Sequence, residues 1–304
     1  MLITPEIEAL VGQEATFQGT EPVDAGVIRR FAKALGLKDG RYYGLADAPP
    51  VAPPTFVFSV NHDSLGKMDE SGRPANRLSL PPPFGPAIRG GNRYQFFRPV
   101  QVGDQIQILR KITSLKEKAG RRGPMAFLTY SLTYRNQKGD LLGINDETLI
   151  FLGPEDAGGK KKEDKPADPK RLDLPFPGEG IPPFRVTVSK VRMMMYAAAT
   201  WNPYQLHWDT DYSRKQGFPD ANVAGPMFGA YLAEMLVRAA GGPSGLISLE
   251  YTNRAMAFPG DTLVCKGKIM GERQEGDRRL YDCRVWTENQ EGLPLVEGTA
   301  TYAR

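Results

Sequence analysis

Apolar residues recur at helical spacing in two segments that hold corresponding places in the chain. After Asp24 they return at Val27, Ile28, Phe31 and Leu35, and after Ser189 at Val191, Met194, Met195 and Ala198. An aspartate or serine just ahead of such a run is the residue type that accepts the unpaired N–H groups of a first helical turn. Both segments are therefore predicted to be capped helices with those apolar positions turned inward. The three consecutive methionines fit core and pocket packing, since Met fills irregular gaps.

A second matched pair follows. VAPPTFVFSV at 51–60 corresponds to VAGPMFGAYL at 223–232, and the latter runs on as AEMLVRAAGG. That stretch is apolar on most faces, which predicts a long helix buried centrally and ending at Gly241–Gly242. Its first-half counterpart is predicted to be shorter or broken, because SVNHDSLG soon loses the pattern.

Strands come next in both halves. A Gly-Asp turn (Gly103–Asp104, Gly260–Asp261) precedes a strand, and an Asn-Gln-x-Gly hairpin follows at Asn136–Gly139 and Asn289–Gly292. The alternation in YSLTY (130–134) and YDCRVW (281–286) predicts half-buried antiparallel strands. The same order of features twice is an internal duplication. Each unit reads as helix, central helix, then strands, which predicts an α+β fold with helices packed on antiparallel sheet. Residues 153–183, rich in charge, Pro and Gly and including Lys160–Lys162, read as a solvated linker. The organisation is then an N-terminal unit 1–152, a linker 153–183 and a C-terminal unit 184–304.

Composition narrows the function. A net charge of +4 on 304 residues is too small, without a recognition helix or an arginine face, to argue for nucleic acid. No run approaches the roughly 18 apolar residues of a membrane span, and the start MLITPEIEALVG lacks the form of a secretory signal. A cytoplasmic protein is expected. Cys265 and Cys283 are the only cysteines and read as buried reduced thiols, although both fall in strand-like segments and neighbouring positions stay open. Two histidines and two cysteines at these spacings make no metal cluster unless carboxylates dominate it.

One of the two histidines, His207, lies in TWNPYQLHWD (200–209). With that segment, APPTF at 52–56 and FRPVQVGD at 97–104, nearly the whole chain resembles the MaoC-like acyl-thioester dehydratases and (R)-specific enoyl-CoA hydratases. The resemblance implies a double hotdog, each half an antiparallel sheet wrapped around a central helix. The N-terminal half would shape an acyl tunnel and the C-terminal half would carry the active site. The family's active-site element is Asp-x-Asn-Pro-(aliphatic)-His. His207 matches its histidine and Leu206 the aliphatic residue, whereas Asn202 stands where the Asp would be and Tyr204 and Gln205 stand at Asn-Pro. The adjacent Asn202–Pro203 pair lies too far upstream to be the family's Asn-Pro. A branch that includes mesaconyl-CoA hydratase-like and 3-hydroxyacyl-thioester dehydratase-like proteins carries Thr-(aromatic)-Asn-x-x-x-(aliphatic)-His-(aromatic)-Asp, which this segment resembles. That branch commonly has further histidines where Tyr204 and Ala224 stand here.

The resemblance implies reversible hydration of a 2-enoyl-CoA. His207 would be the base acting on water, Asn202 would orient that water, and Gly225, at the start of the central helix, would offer its N–H to the thioester oxygen. Asn202 cannot carry a proton, so either His207 shuttles it alone or a second acid helps, with Asp209 a candidate and Asp211 a poorer one. Tyr204, Met227, Phe228 and Tyr231 are candidate pocket residues, and a core role explains them equally well. Arg254 is a candidate for a coenzyme A phosphate within a diffuse basic rim. His62 reads as structural or solvent-facing. No cofactor is expected beyond the coenzyme A of the substrate, and the expected assembly is a homodimer or a complex with a different subunit. Two alternatives stay open: a non-catalytic acyl-CoA-binding subunit, motivated by Asn202, and a thioesterase using Glu234, the one acid in the apolar helix.

Overall fold

Both predicted caps form in the computed structural model, which describes residues 3–45, 48–74, 80, 84, 87–120, 123–152 and 180–304. Asp24 Oδ1 accepts the N–H groups of Gly26 and Val27, and Ser189 Oγ accepts that of Arg192. The first half runs α1 (Pro5–Glu8), β1 (Glu14–Gln18), α2 (Ala25–Leu35), α3 (Phe56–Ser59), β2 (Ala87–Phe96), β3 (Gln107–Gly120), β4 (Gly123–Arg135) and β5 (Leu141–Leu152). The second runs β6 (Gly180–Thr187), α4 (Lys190–Ala199), α5 (Thr210–Lys215), α6 (Gly225–Ala240), β7 (Leu246–Asn253), β8 (Thr262–Glu275), β9 (Arg278–Glu288) and β10 (Pro294–Ala303). The fold is the α+β double hotdog that the duplicated pattern and the resemblance imply.

The strands form one sheet in the order β1-β3-β4-β5-β2-β7-β10-β9-β8-β6. Read from its two ends, this order repeats, with β1 corresponding to β6, β3 to β8, β4 to β9, β5 to β10 and β2 to β7. The halves join through β2 and β7, antiparallel from Gly91 opposite Thr252 to Gln95 opposite Ser248. The duplication reaches single turns. Asn136 Oδ1 accepts from the N–H groups of Lys138 and Asp140, and Asn289 Oδ1 from those of Glu291 and Leu293. Gly139 and Gly292 both take the left-handed conformation these turns require (φ 81° and 79°).

The helices on the concave side differ. α6 is buried on nearly every face and ends at Gly241 with φ 82°, as its apolar run predicts. α3 has four residues, the short counterpart expected from SVNHDSLG. Among the described residues, no helix is long and apolar enough to cross a membrane.

Two readings change, and one open possibility closes. The edge strands β1 and β6 escape the sequence pattern. β6 begins at Gly180, within the last residues assigned to the linker, and its Pro182 and Pro183 fall where the pairing with β8 shifts register between Ile181 and Phe184, a place that needs no ladder N–H. The rest of the linker, 153–179, lies outside the described residues. In α4 the buried face is Met193, Tyr196, Ala197 and Ala199, while Val191 and Met194 are 68% and 64% exposed. The helix is apolar at almost every position, so periodicity cannot set its phase. Contact with α2, where Tyr196 meets Phe31 with ring centroids 5.8 Å apart, sets it instead. Cys265 lies opposite Thr287 and Cys283 opposite Ile269, so the two buried free thiols are not cross-strand neighbours.

Candidate active site

The end of α4 aims the histidine-bearing segment. Thr200 is buried and its hydroxyl donates to Tyr196 O at 2.8 Å. Trp201 then takes φ 50°, the one non-glycine residue with positive φ among those described, and Asn202 N–H folds back onto Ala197 O at 2.9 Å. A tryptophan in the left-handed region is disfavoured, so its surroundings must hold it there. Its indole N–H donates to Ser64 O and the Asn61 N–H to Thr200 O, which straps the turn to the first half. Pro203, at the Asn-Pro that does not match the family element, accepts the Trp208 indole N–H at 2.9 Å through its carbonyl.

His207 ends the 3-10 turn Gln205–His207. Its Nδ1 lies 3.0 Å from Asn222 O and 3.1 Å from Asn222 Oδ1. A backbone carbonyl only accepts, so Nδ1 carries the proton and Nε2 is the basic nitrogen. Asn222 also donates its N–H to Leu206 O, pinning the turn from both sides. Tyr204 presents an edge to the imidazole with centroids 5.7 Å apart. Burial, with a hydrogen bond that Tyr204 donates to Tyr212, pushes the pKa of the Tyr204 hydroxyl up to about 12.

His207, Asn202, Tyr204, Asn222, Gly225 and Phe228 line one cavity of about 660 Å³, a volume suited to a small-molecule ligand. Its far wall belongs to the first half: Phe58 in α3 and Val60 just after it, and Ile108, Leu132, Tyr134 and Leu149 from the sheet. Helix α6 starts at Gly225 with no side-chain cap from Ala224 and Pro226 in its first turn, leaving N–H groups and the positive end of a 16-residue helix at the cavity.

Other candidates fall elsewhere. Tyr231 is fully buried and stacks on Phe184, a core residue and not a lining one. Met227 lies behind His207 and Asn202, beside a void of about 10 Å³. Asp209 Oδ1 accepts the N–H groups of Asp211 and Tyr212 as the cap of α5, and Asp209 does not line the cavity among the described residues. Asp211 does not line the cavity among the described residues either. Arg254 does reach the cavity, with its guanidinium bound to Glu297 at 2.6 Å. Glu234 is buried between Arg238 (2.8 Å) and the Tyr42 hydroxyl (3.1 Å), away from the cavity lining, and burial raises its pKa. The thioesterase alternative thus has its acid in the core.

Sequence reasoning missed several lining residues. His62 is a wall residue, where a solvent-facing one was an open option. Its Nε2 bonds Val57 O at 3.1 Å, and burial lowers its pKa to about 4, so it is neutral at neutral pH. Arg89 and Glu147 form an ion pair at 2.5 Å on the cavity wall, with Asn253 beside it. No spacing signals these, because each reaches the site across strands or from the other half.

Comparison with known proteins bears on the family and the fold. The family model for the FAS1-like dehydratase domain region matches residues 9–143. The mesaconyl-C(4)-CoA hydratase of Chloroflexus aurantiacus is 27% identical over 195 residues, covering 62% of this chain and 65% of that protein's length. A UPF0336 protein of Streptomyces coelicolor is 30% identical over 121 residues, 37% of this chain and 75% of that protein. A solved MaoC-like dehydratase superposes with a TM-score of 0.74 at 18% identity, over 97% of this chain and 98% of that one.

Proposed function

The chain belongs to the MaoC-like hotdog dehydratase family, and we propose that it reversibly hydrates a 2-enoyl-CoA, with His207 as the base. The observation that carries this reading is the imidazole itself. Nδ1–H is fixed on Asn222, so Nε2 is the basic nitrogen of a residue that lines the same cavity as Asn202 and the start of α6.

Chemistry follows from these groups. Nε2 takes a proton from water as the water oxygen bonds the β-carbon. The alkene electrons move toward the thioester oxygen, where the N–H groups at the start of α6 meet the growing charge. The imidazolium, steadied by the Asn222 carbonyl, gives its proton to the α-carbon and the carbonyl re-forms. Asn202 holds water through its amide. The apolar first-half wall takes the acyl chain, and Lys215 and Arg254 at the cavity suit the phosphates of coenzyme A. The Chloroflexus relative, a hydratase of an unsaturated acyl-CoA by name, supports the same class of reaction.

Asn202, an amide where proton transfer would use an acid, favours a second reading: an acyl-CoA-binding subunit that completes a partner's site. Incubation with short and long 2-enoyl-CoA esters and with 3-hydroxyacyl-CoA, following alkene absorbance and free thiol together, separates the readings. Loss of alkene without thiol release is expected. Thiol release instead would overturn hydration in favour of thioester cleavage, and silence with tight acyl-CoA binding would favour the subunit.

A further inference from the structure

Strand β2 belongs to the half without the histidine segment, yet it sends a charged side chain to the start of α6. A Cβ built on Gly225 would lie 2.8 Å from Arg89 Cδ, 3.5 Å from Arg89 Nε and 3.4 Å from Asn253 Nδ2. Gly225 is not among the positive-φ glycines. What requires glycine there is room for the arginine, not an unusual backbone.

Arg89 is held in place from three sides. Its carbonyl accepts from Asn253 Nδ2 at 3.0 Å, its Nη1 lies 2.5 Å from Glu147 Oε2, and Nη1 also donates to Asn92 Oδ1 at 3.3 Å. The Arg89 and Glu147 side chains are only 14% and 6% exposed. Burial opposes the charge on Arg89, but Glu147 and the nearby Tyr130, Tyr94 and Tyr251 outweigh it and raise the pKa, so the guanidinium stays protonated. Its Nε and Nη2 make no hydrogen bond to a described residue. Arg89 and Gly225 line the same cavity as His207. Two independent features therefore meet at one place: an uncapped helix N-terminus and a buried guanidinium with donors to spare. Both favour negative charge.

We propose that Arg89 is a catalytic residue supplied by the first half, its guanidinium holding the negative charge that moves onto the thioester oxygen when water adds at the β-carbon. The inference rests on the hydratase reading. In the step, an O–H bond of water breaks and its proton goes to His207, a C–O bond forms at the β-carbon, and the alkene pair shifts to give an enolate at the thioester. That charge lies between the α6 N–H groups and Arg89 until the proton on His207 reaches the α-carbon. Arg89 gives up no proton. Glu147 balances its charge in the resting site and fixes Nη1, which directs the remaining donors to substrate.

The test uses the full chain and a short, unbranched 2-enoyl-CoA. Arg89→Met is expected to lower kcat about 100-fold, the scale of losing one oxyanion donor, with KM within about threefold. Arg89→Lys should recover about tenfold of that loss, which a packing role would not require. Gly225→Ala should displace the guanidinium and lower kcat comparably, and the double variant should be little worse than either change alone. A folded Arg89→Met with kcat near wild type overturns the proposal. So does a loss confined to KM, or one seen only with substrates that carry a carboxylate on the acyl chain, which would make Arg89 a specificity residue. If Arg89→Met does not fold, Arg89→Lys decides: lower kcat at unchanged KM supports the role, and unchanged kcat overturns it. A wild type that hydrates no 2-enoyl-CoA sinks the hydratase reading and this inference together, whereas active wild type with indifferent Arg89 variants sinks this inference alone.

Discussion

The two halves repeat each other strand for strand but use the concave face of the sheet differently. In the second half, α6 runs for sixteen residues and fills that face; Leu232, Leu236 and Val237 are fully buried against it. In the first half α3 stops after four residues, and the sheet residues Ile108, Leu132 and Leu149 border a cavity. One copy of the duplicated unit thus keeps its central helix, whose N-terminus points at the reacting end. The other has a single short turn of helix in its place, and on the proposed reading the space takes an acyl chain. The two copies differ most in this one element, and the cavity lies where the helix is short.

This division fails most visibly if the chemistry does not depend on the second half. His207→Ala is expected to reduce hydration of a 2-enoyl-CoA by a factor of about 10²–10⁴, the range for removing a general base, with the circular dichroism and melting of wild type. Turnover near wild type in that variant would break the assignment. The first half should answer differently. Phe58, stacked on Tyr94 at 4.6 Å, borders the cavity; replacing it with Ala should shift the preferred acyl length upward while shorter substrates keep their kcat. A fall in kcat for every chain length would mean that Phe58 bears on the chemistry and not only on the acyl end.

Packing gives the next contrast. Leu232 faces a filled interior, so Leu232→Ala should cost about 2–5 kcal/mol in a denaturant titration, the cost of a cavity opened in a close-packed core. A leucine bordering existing space leaves less behind: Leu149→Ala should cost clearly less by the same measurement. Equal losses would mean that the first-half concave face is as tightly packed as the second.

Much of this was legible in the sequence because it is local. Asp24, Ser189, the Asn-Gln-x-Gly hairpins, Gly241 and the long apolar run each act over a few residues, and the structure uses them as read. The resemblance around TWNPYQLHWD implies that His207, Asn202 and Gly225 share one site, and all three line one cavity. What was not legible depends on long-range contact. Asn222 meets His207 across fifteen residues, and Arg89 meets Gly225 from the other half, with no periodicity to announce either. The phase of α4 was misread because its apolar residues cover every face, and an aspartate such as Asp209 reads alike as a helix cap or an acid, of which the structure shows the cap.

His62 offers a test on the first-half wall. Its folded pKa, about 4, lies below the ordinary histidine value of 6.5 because burial disfavours the charged ring. The unfolded chain therefore binds the proton first, and stability contributed by the neutral ring is complete above pH 6.5 and is lost as pH falls toward 4. The shift corresponds to about 3 kcal/mol at most. His62→Gln should flatten the acid limb of a stability-against-pH curve between pH 6.5 and 4. An unchanged limb would show that His62 is solvated and not part of the wall.

The smallest effects test whether the halves remain equivalent where they have not diverged. Asp24 receives two N–H groups at 2.6 and 3.0 Å and Ser189 one at 3.1 Å, at matching positions before α2 and α4. Loss of a cap side chain costs about 1 kcal/mol, because it strands first-turn donors that the helix cannot satisfy itself. Asp24→Ala and Ser189→Ala should each lower stability by about that amount, with Asp24 the larger for its second bond and for its charge at the positive end of the helix. Because α2 and α4 pack on each other, the double variant is the sharper measurement. A sum of the two single losses means each cap holds only its own helix. A smaller combined loss means that fraying one helix already loosens the other, and the two copies then share one stability unit at this end of the fold.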